Sequence, residues 1–331
     1  MMMTMTRRGA GLAALWSVAL AGLLGIFSLA LVGCGDGSDA SPPKTNPNTP
    51  AAPLSGGGKL KIVATTTMIH DLARRIAGDD ADVVGIMKPG EDPHIYDVRP
   101  QDAELLRAAD LVLMNGLHLE ATLIDIAQAQ AKPGSVILLA EATGIQPLRS
   151  SDAGAADPHL WFNIAHFQQY VRTALAAIIK ADPAHAEAYT QRANAYLAEL
   201  AELDTWTRQQ IATIPRDRRA MVTSHDAFQY FGHAYDIDVH AVIGMSTEQQ
   251  PRPQDLQQLE SLVRERNVKA LFIETSVSQM LNELVRKLAD QTGAKIGGTL
   301  YSDSLGDENS PAASYVGMIR HNVTTIVNAL K

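Results

Sequence analysis

Two short stretches carry the same arrangement of groups. Glu91-Asp92-Pro93-His94-Ile95-Tyr96 and Ala156-Asp157-Pro158-His159-Leu160-Trp161 each set a histidine behind an Asp-Pro step and place an aromatic two residues beyond it. Proline fixes φ and withdraws a donor, so each imidazole sits on a stiff turn that can aim a nitrogen lone pair at a metal ion. The bland alternative is a pair of Asp-Pro turns with solvent-facing histidines; the repetition, aromatic included, favours ligands. His225, in Thr223-Ser224-His225-Asp226, falls just after a predicted strand and at the opening of a helix, the place where open α/β sheets bind ligands. Asp303, in Tyr301-Ser302-Asp303-Ser304, also follows a strand, and taken alone it is a turn or cap residue. The other histidines, His70, His118, His166, His185, His233, His240 and His321, lie in helical or strand patterns without metal spacing and are expected to serve structure or surface.

Holding such residues takes a scaffold, and its pattern begins at Lys59. Leu60 to Thr65 reads as a buried strand feeding a helix around Ile69 to Ile76. Val83 to Met87 (strand), Gln101 to Ala108 (helix), Leu111 to Met114 (strand) and Ser135 to Leu139 (strand) follow. Short β-branched runs between helical segments predict parallel α/β layers. Phe167 to Lys180 then reads as a helix, and after Asp182-Pro183 the chain from Ala184 to about Ile214 has neither Gly nor Pro. That is a helix of about 45 Å, expected to act as a strut between two bodies rather than as part of one core. Past Pro215 the alternation returns, with strands at Ala220 to Thr223, Val239 to Ile243, Ala270 to Ile273 and Ala294 to Ile296. Helices are expected at Asp226 to Tyr235, Pro253 to Glu265, Ser278 to Gln291 and Ala312 to Ala329. The predicted fold is therefore two α/β lobes with parallel sheets, 59 to 182 and 215 to 331, joined by one long rigid helix over 183 to 214.

What precedes residue 59 is of another kind. Arg7 and Arg8 head an uncharged apolar run from Gly11 to Val32 that ends in Leu31-Val32-Gly33-Cys34. This reads as an export signal over residues 1 to 33, closed by a bacterial lipobox whose Cys34, the only cysteine, is acylated. A membrane-spanning helix is the competing reading of the same run. Residues 34 to 58, rich in Gly, Ser, Pro, Asn and Thr, form a flexible tether. Without residues 1 to 33, which carry two arginines and no acid, the formal charge moves from −8 to −10, which argues against nucleic acid as a partner. Hydrophobic residues at 46% and charged residues at 19% fit a packed, water-soluble body.

The four stretches around His94, His159, His225 and Asp303, in this order, resemble the metal-binding receptors of bacterial ABC importers for manganese, zinc and related ions, above all the TroA-like group. The likeness runs from about Lys59 to Lys331 and extends to Asn115-Gly116-Leu117-His118-Leu119-Glu120, to Phe272-Ile273-Glu274-Thr275-Ser276 and to Tyr315 through Val323. It implies two lobes bridged by a rigid helix, with His94 and His159 from the first lobe and His225 and Asp303 from the second meeting one ion in the cleft. Manganese-selective members often carry Glu at the position of His225, so histidine there shifts the expectation toward zinc. The long histidine-rich acidic loop of many dedicated zinc receptors has no counterpart between Leu117 and Asp157, which shifts it back toward dual specificity.

Three imidazoles and a carboxylate suit Zn²⁺ and accept Mn²⁺ or Fe²⁺, whereas Ca²⁺ and Mg²⁺ prefer oxygen shells. Affinity is expected to fall as pH drops through about 6, because protons compete for the imidazoles. The resemblance further implies an ABC permease with its ATPase as partner, a monomer lipid-anchored through Cys34 to the outer face of the cytoplasmic membrane, and release by local disturbance of one ligand. Two other functions compete. A surface adhesin of the same fold has no distinguishing sequence feature, and a metal-dependent hydrolase is opposed by a four-ligand shell and by the absence of His-Glu-x-x-His, Gly-x-Ser-x-Gly and phosphate-loop motifs.

Overall fold

The computed structural model describes residues 58–149 and 154–331. The expected export signal, Cys34 and all of the tether but Gly58 lie outside the described residues.

The first lobe contains β1 (Leu60–Ala64), α1 (Thr67–Ala77), β2 (Ala81–Gly85), α2 (Pro100–Ala108), β3 (Leu111–Met114), α3 (Thr122–Gln130), β4 (Val136–Leu138), α4 (Leu139–Ala142) and α5 (Ile164–Ala181). After α6 (Ala186–Ala212) come β5 (Ala220–Thr223), α7 (Gln229–Tyr235), β6 (Asp238–Ala241), α8 (Pro253–Glu265), β7 (Ala270–Glu274), α9 (Gln279–Thr292), β8 (Lys295–Leu300) and α10 (Tyr315–Leu330). Each sheet has four parallel strands, in the orders β2-β1-β3-β4 and β6-β5-β7-β8. The two orders are the same, so each sheet reverses its winding at its central pair, β1/β3 and β5/β7, and opens a crevice beyond the carboxyl ends of those strands.

Most elements stand where the sequence pattern puts them, with ends moved by a few residues. Three differences matter. β8 runs on to Leu300 through Gly297 and Gly298, with a register shift opposite Leu271/Phe272. A side chain on Gly297 would collide with Phe272 and Ala329, so glycine there marks close packing of β8 against α10 rather than the end of a strand. The helix expected from Asp226 opens only at Gln229. The backbone before it is committed elsewhere: Asp226 N donates to Gly244 O (3.2 Å), and His225 O accepts from Thr223 Oγ1 (2.7 Å). His225 therefore stands in a loop after β5, not on a helix opening.

The long helix differs in a third way. α6 has 27 residues, about 40 Å at the usual rise. It buries Tyr189, Ala193, Tyr196, Leu200, Leu203, Thr207 and Ile211, one face at three- to four-residue spacing. That face belongs to a continuous core containing β1 residues Leu60 and Ile62, β5 residue Met221, β7 residue Phe272 and the inner face of α10. The helix is thus a wall of one shared core as well as a strut. Polar clamps hold both ends: Arg192 donates to Ile76 O and Ala77 O (each 2.7 Å), and Tyr235 OH donates to Asp204 Oδ1 (2.7 Å). Each sheet's other face is closed by its own apolar cluster, Val63, Ile86, Leu106, Val112 and Leu123 in the first lobe and Val222, Leu259, Val263, Leu271 and Val285 in the second.

Candidate metal centre

The Asp-Pro-His stretches fold as the same small device. Asp92 Oδ1 accepts from His94 N (2.9 Å), and Asp157 Oδ1 accepts from His159 N (3.0 Å), so each aspartate closes a turn that presents the histidine behind it. In the second stretch the carboxylate does more. His159 Nδ1 lies 2.7 Å from Asp157 Oδ1, which places the ring proton on Nδ1 and turns Nε2 inward as a lone pair.

His225 leaves the end of β5 beside the end of β7. Its backbone N donates to Glu274 Oε1 (2.9 Å), and its Nδ1 stands 2.6 Å from Glu274 Oε2 in skewed geometry. Asp303, just beyond β8, is held by Ser276: its N donates to Ser276 Oγ (3.1 Å), and Ser276 Oγ is 2.8 Å from Ser302 Oγ. The same segment is bonded to the first lobe on both sides. Trp161 Nε1 donates to Ser302 O (3.2 Å), Gly90 N to Ser304 Oγ (2.8 Å), and Leu305 N to Thr67 Oγ1 (2.8 Å).

All four side chains singled out in the sequence are brought together. His94, His159, His225 and Asp303 each offer one ligand atom, all within 4.8 Å of one another, and among the described residues theirs is the one such group of histidines, cysteines and acids. The edges are 3.0 Å for His225 Nε2 to Asp303 Oδ2, 3.3 Å for His94 Nε2 to His159 Nε2, 3.6 Å for His159 Nε2 to Asp303 Oδ1 and 3.9 Å for His94 Nε2 to Asp303 Oδ2. A tetrahedron of bonds about 2.0 to 2.2 Å long has edges of roughly 3.3 to 3.6 Å, inside that spread. His225 Nε2 and both Asp303 oxygens are buried without a well-directed hydrogen bond, although neighbours lie at hydrogen-bonding distance. Such groups face a common centre rather than each other, and a cation there satisfies all of them. Both oxygens of Asp303 face imidazoles, so the carboxylate can add a fifth donor for a larger ion.

Electrostatics reinforce the grouping. Burial works against charge on His225, yet the carboxylates of Asp303 and Glu274 outweigh it and raise its pKa well above the ordinary value. Asp303 is buried too, and His225, then His159 and His94, hold its carboxyl far below the usual range. Burial is the largest influence on His94 and lowers its pKa to about 3. Burial and then the charge of Asp303 push Asp92 up to about 6.

Several residues that shape the centre were not picked out in the sequence as parts of it. Asp157 was visible as half of a repeated Asp-Pro step, and its grip on the ring could have been anticipated from the two-residue spacing. Trp161 was visible as the aromatic of the repeated stretch, but its bond to Ser302 O crosses between lobes, and the contact of Ser276 with Ser302 joins segments 26 residues apart, so neither link leaves a local signal.

The sequence matches the family described as "Zinc-uptake complex component A periplasmic" over residues 62–329. It is 38% identical over 307 residues to the manganese-binding lipoprotein MntA of Bacillus subtilis (strain 168), covering 92% of this chain and 96% of that protein. With the zinc-binding protein TroA of Treponema pallidum (strain Nichols) identity is 36% over 275 residues, 82% of this chain and 89% of that protein. The solved structure of the periplasmic zinc binding protein TroA from Treponema pallidum superposes with a TM-score of 0.79 at 36% identity, covering 82% of this chain and 99% of that one. Two like-ordered sheets, a long helix against both, and a buried histidine and aspartate cluster between them agree with these matches: the chain belongs to the zinc-uptake component A family, the TroA-like solute-binding receptors of metal ABC transporters.

Proposed function

We propose that this protein binds one divalent transition-metal ion, Zn²⁺ or Mn²⁺ with Fe²⁺ also accepted, through His94, His159, His225 and Asp303, and delivers it to an ABC permease for import. The observation that carries this reading is the convergence of four buried ligand atoms from four loops. Three imidazoles and one carboxylate favour Zn²⁺ where ions compete freely, and the second oxygen of Asp303 gives Mn²⁺ its larger shell. The cargo is decided by supply and by the permease. The relatives named above divide the same way, one manganese-binding and one zinc-binding by name.

A set of four protein ligands suits carriage rather than chemistry, because catalytic zinc keeps a position open for water. In this reading a first lobe over 59–182, a linking helix over 183–214 and a second lobe over 215–331 follow an export signal over 1–33, an acylated Cys34 and a tether over 34–58. That arrangement gives a monomer held at the outer face of the cytoplasmic membrane and free to reach its permease. Manganese-binding lipoprotein is the name of the Bacillus subtilis relative, which supports the anchor. Release works by local disturbance of a ligand, since the segment around Asp303 is bonded to the first lobe through Trp161, Gly90 and Thr67 and a wide hinge motion would break those bonds together.

Calorimetric titration of the detergent-extracted full chain with Zn²⁺ and with Mn²⁺, beside His225→Ala, tests the reading. One ion per chain, with affinity lost in the variant, is the expected result. Wild-type protein that takes up neither ion, or a His225→Ala variant that binds as tightly, would overturn it.

A further inference from the structure

One motif singled out in the sequence has no place in the metal centre. Asn115-Gly116-Leu117-His118-Leu119-Glu120 follows β3 at the winding reversal of the first sheet. Its backbone is unusual. Gly116, Leu117 and His118 have φ of 87°, 52° and 62°, so two residues with side chains share a left-handed run with a glycine. Such a run persists only where its surroundings hold it.

Two carboxylates do the holding. Glu120, 1% exposed, accepts from Thr65 Oγ1 (2.7 Å) and Asn115 N (2.6 Å) on one oxygen and from Gly116 N (3.0 Å) on the other. Glu141 Oε1 accepts from Leu117 N (2.9 Å), and any side chain at Gly116 would run into the Glu141 carboxylate. The product of this bracing is the position of one amide. Asn115 is 1% exposed, and its side chain is fully used: Oδ1 accepts from Tyr170 OH (2.8 Å), while Nδ2 donates to Gly116 O (3.1 Å) and to Pro158 O (3.0 Å). Pro158 O is the carbonyl immediately before His159. It also accepts from Leu160 N (2.9 Å), so it anchors the turn on which the imidazole stands.

We propose that Asn115 is a positioning residue for the metal site: its amide, held by the Glu120-braced loop, fixes the Pro158 carbonyl and through it the direction of His159 Nε2. This rests on the assignment of His159 as a ligand. Asp157 sets the rotation of the ring about its own axis, and Tyr230 OH holds the Asp157 carbonyl (3.0 Å) from the second lobe. Asn115 supplies the third fixed point, from the first lobe, on the peptide between them.

The test uses the full chain in detergent and Co²⁺ as probe, because the visible absorption of Co²⁺ reports the number and geometry of its ligands. Asn115→Asp keeps the size and the acceptor for Tyr170 but turns an oxygen toward Pro158 O. The expected result is a Co²⁺ affinity weaker by about tenfold, the range seen when groups that orient metal ligands are altered, with a changed absorption band and an unchanged far-ultraviolet circular dichroism spectrum. Tyr189→Phe is the control. It removes the hydrogen bond from Tyr189 OH to Asp182 Oδ2, outside the loops of the metal site, and should lower the melting temperature while leaving affinity and band as in wild type. If Asn115→Asp does not fold, Asn115→Ser removes the donor without adding charge and is read in the same way. A wild-type band in the Asn115 variant, or an equal affinity loss in both variants, overturns the proposal and leaves the transport reading intact. A wild-type chain that binds no Co²⁺ overturns both.

Discussion

The two sheets share one strand order, yet their winding reversals are put to different use. Beyond β5 and β7 stands His225, with Glu274 at the end of β7 taking its backbone N–H and facing its ring. Beyond β1 and β3 stands Thr65, with Glu120 just after β3 taking its hydroxyl. Each crevice thus has a group after the first central strand and a buried glutamate after the second. In the second lobe that pair stands at the cluster of His94, His159, His225 and Asp303 itself, and in the first it reaches the cluster at one remove, through Asn115 and the Pro158 carbonyl. One architecture can place a ligand or the support of a ligand, depending on whether the residue after the strand is an imidazole or a hydroxyl.

The contrast breaks most sharply at the two glutamates. Glu120→Ala leaves Thr65 Oγ1, Asn115 N and Gly116 N buried without their acceptor, and should destabilise the metal-free protein by about 3 kcal/mol or more. Chemical denaturation measures this, and the drop in metal affinity should be the smaller part of the effect. Glu274→Gln should show the reverse. It takes a negative charge from beside His225 and should weaken Zn²⁺ binding by about 10- to 100-fold in competitive titration, with little change in denaturation midpoint. Equal effects of both substitutions on both measurements would mean that the lobes use their crevices alike.

Much of this was legible in the sequence, and what escaped it did so for identifiable reasons. Parallel layers, the long helix and all four converging side chains follow from β-branched runs, a stretch free of Gly and Pro, and motifs in a familiar order. The extent of β8 was hidden because Gly297 and Gly298 look like a strand end, while their actual role is close approach to Phe272 and α10. The late start of α7 was hidden because Asp226 resembles a helix opening, and only the tertiary bond from Asp226 N to Gly244 O diverts it. The link from Asn115 to Pro158 spans 43 residues and leaves no local trace.

Proton competition sharpens the comparison from the ion's side. Sequence alone suggested protons competing at several imidazoles near pH 6, but burial holds His94 neutral down to about pH 3. His225 behaves oppositely, since Asp303 and Glu274 overcome its burial and keep it protonated in the metal-free protein above the ordinary histidine range. Binding must expel that proton, so affinity should rise by about tenfold per pH unit while the pH stays below the raised pKa of His225, and level off above it. Calorimetry in buffers of differing ionisation enthalpy should find about one proton released per ion at pH 7. An affinity flat between pH 6 and 7.5 would show that the second crevice carries no such charge.

The smallest expected effect concerns the contact that ties the crevices together. Trp161, the aromatic of the second Asp-Pro-His stretch, donates from its indole to Ser302 O and packs edge-on to His159 at 5.1 Å, while Tyr315 OH donates to its carbonyl (2.6 Å). Tyr96, its counterpart in the first stretch, bonds only within its own lobe, to Asp102. Trp161→Phe keeps most of the buried ring and removes one hydrogen bond between lobes, a loss of about 1 kcal/mol. If that bond sets the distance from His159 to Asp303, the loss should surface as an affinity reduced about fivefold, whereas Tyr96→Phe should leave affinity as it is. The size of that difference measures how far a receptor built of two like lobes depends on the few bonds that join their loops at the ion.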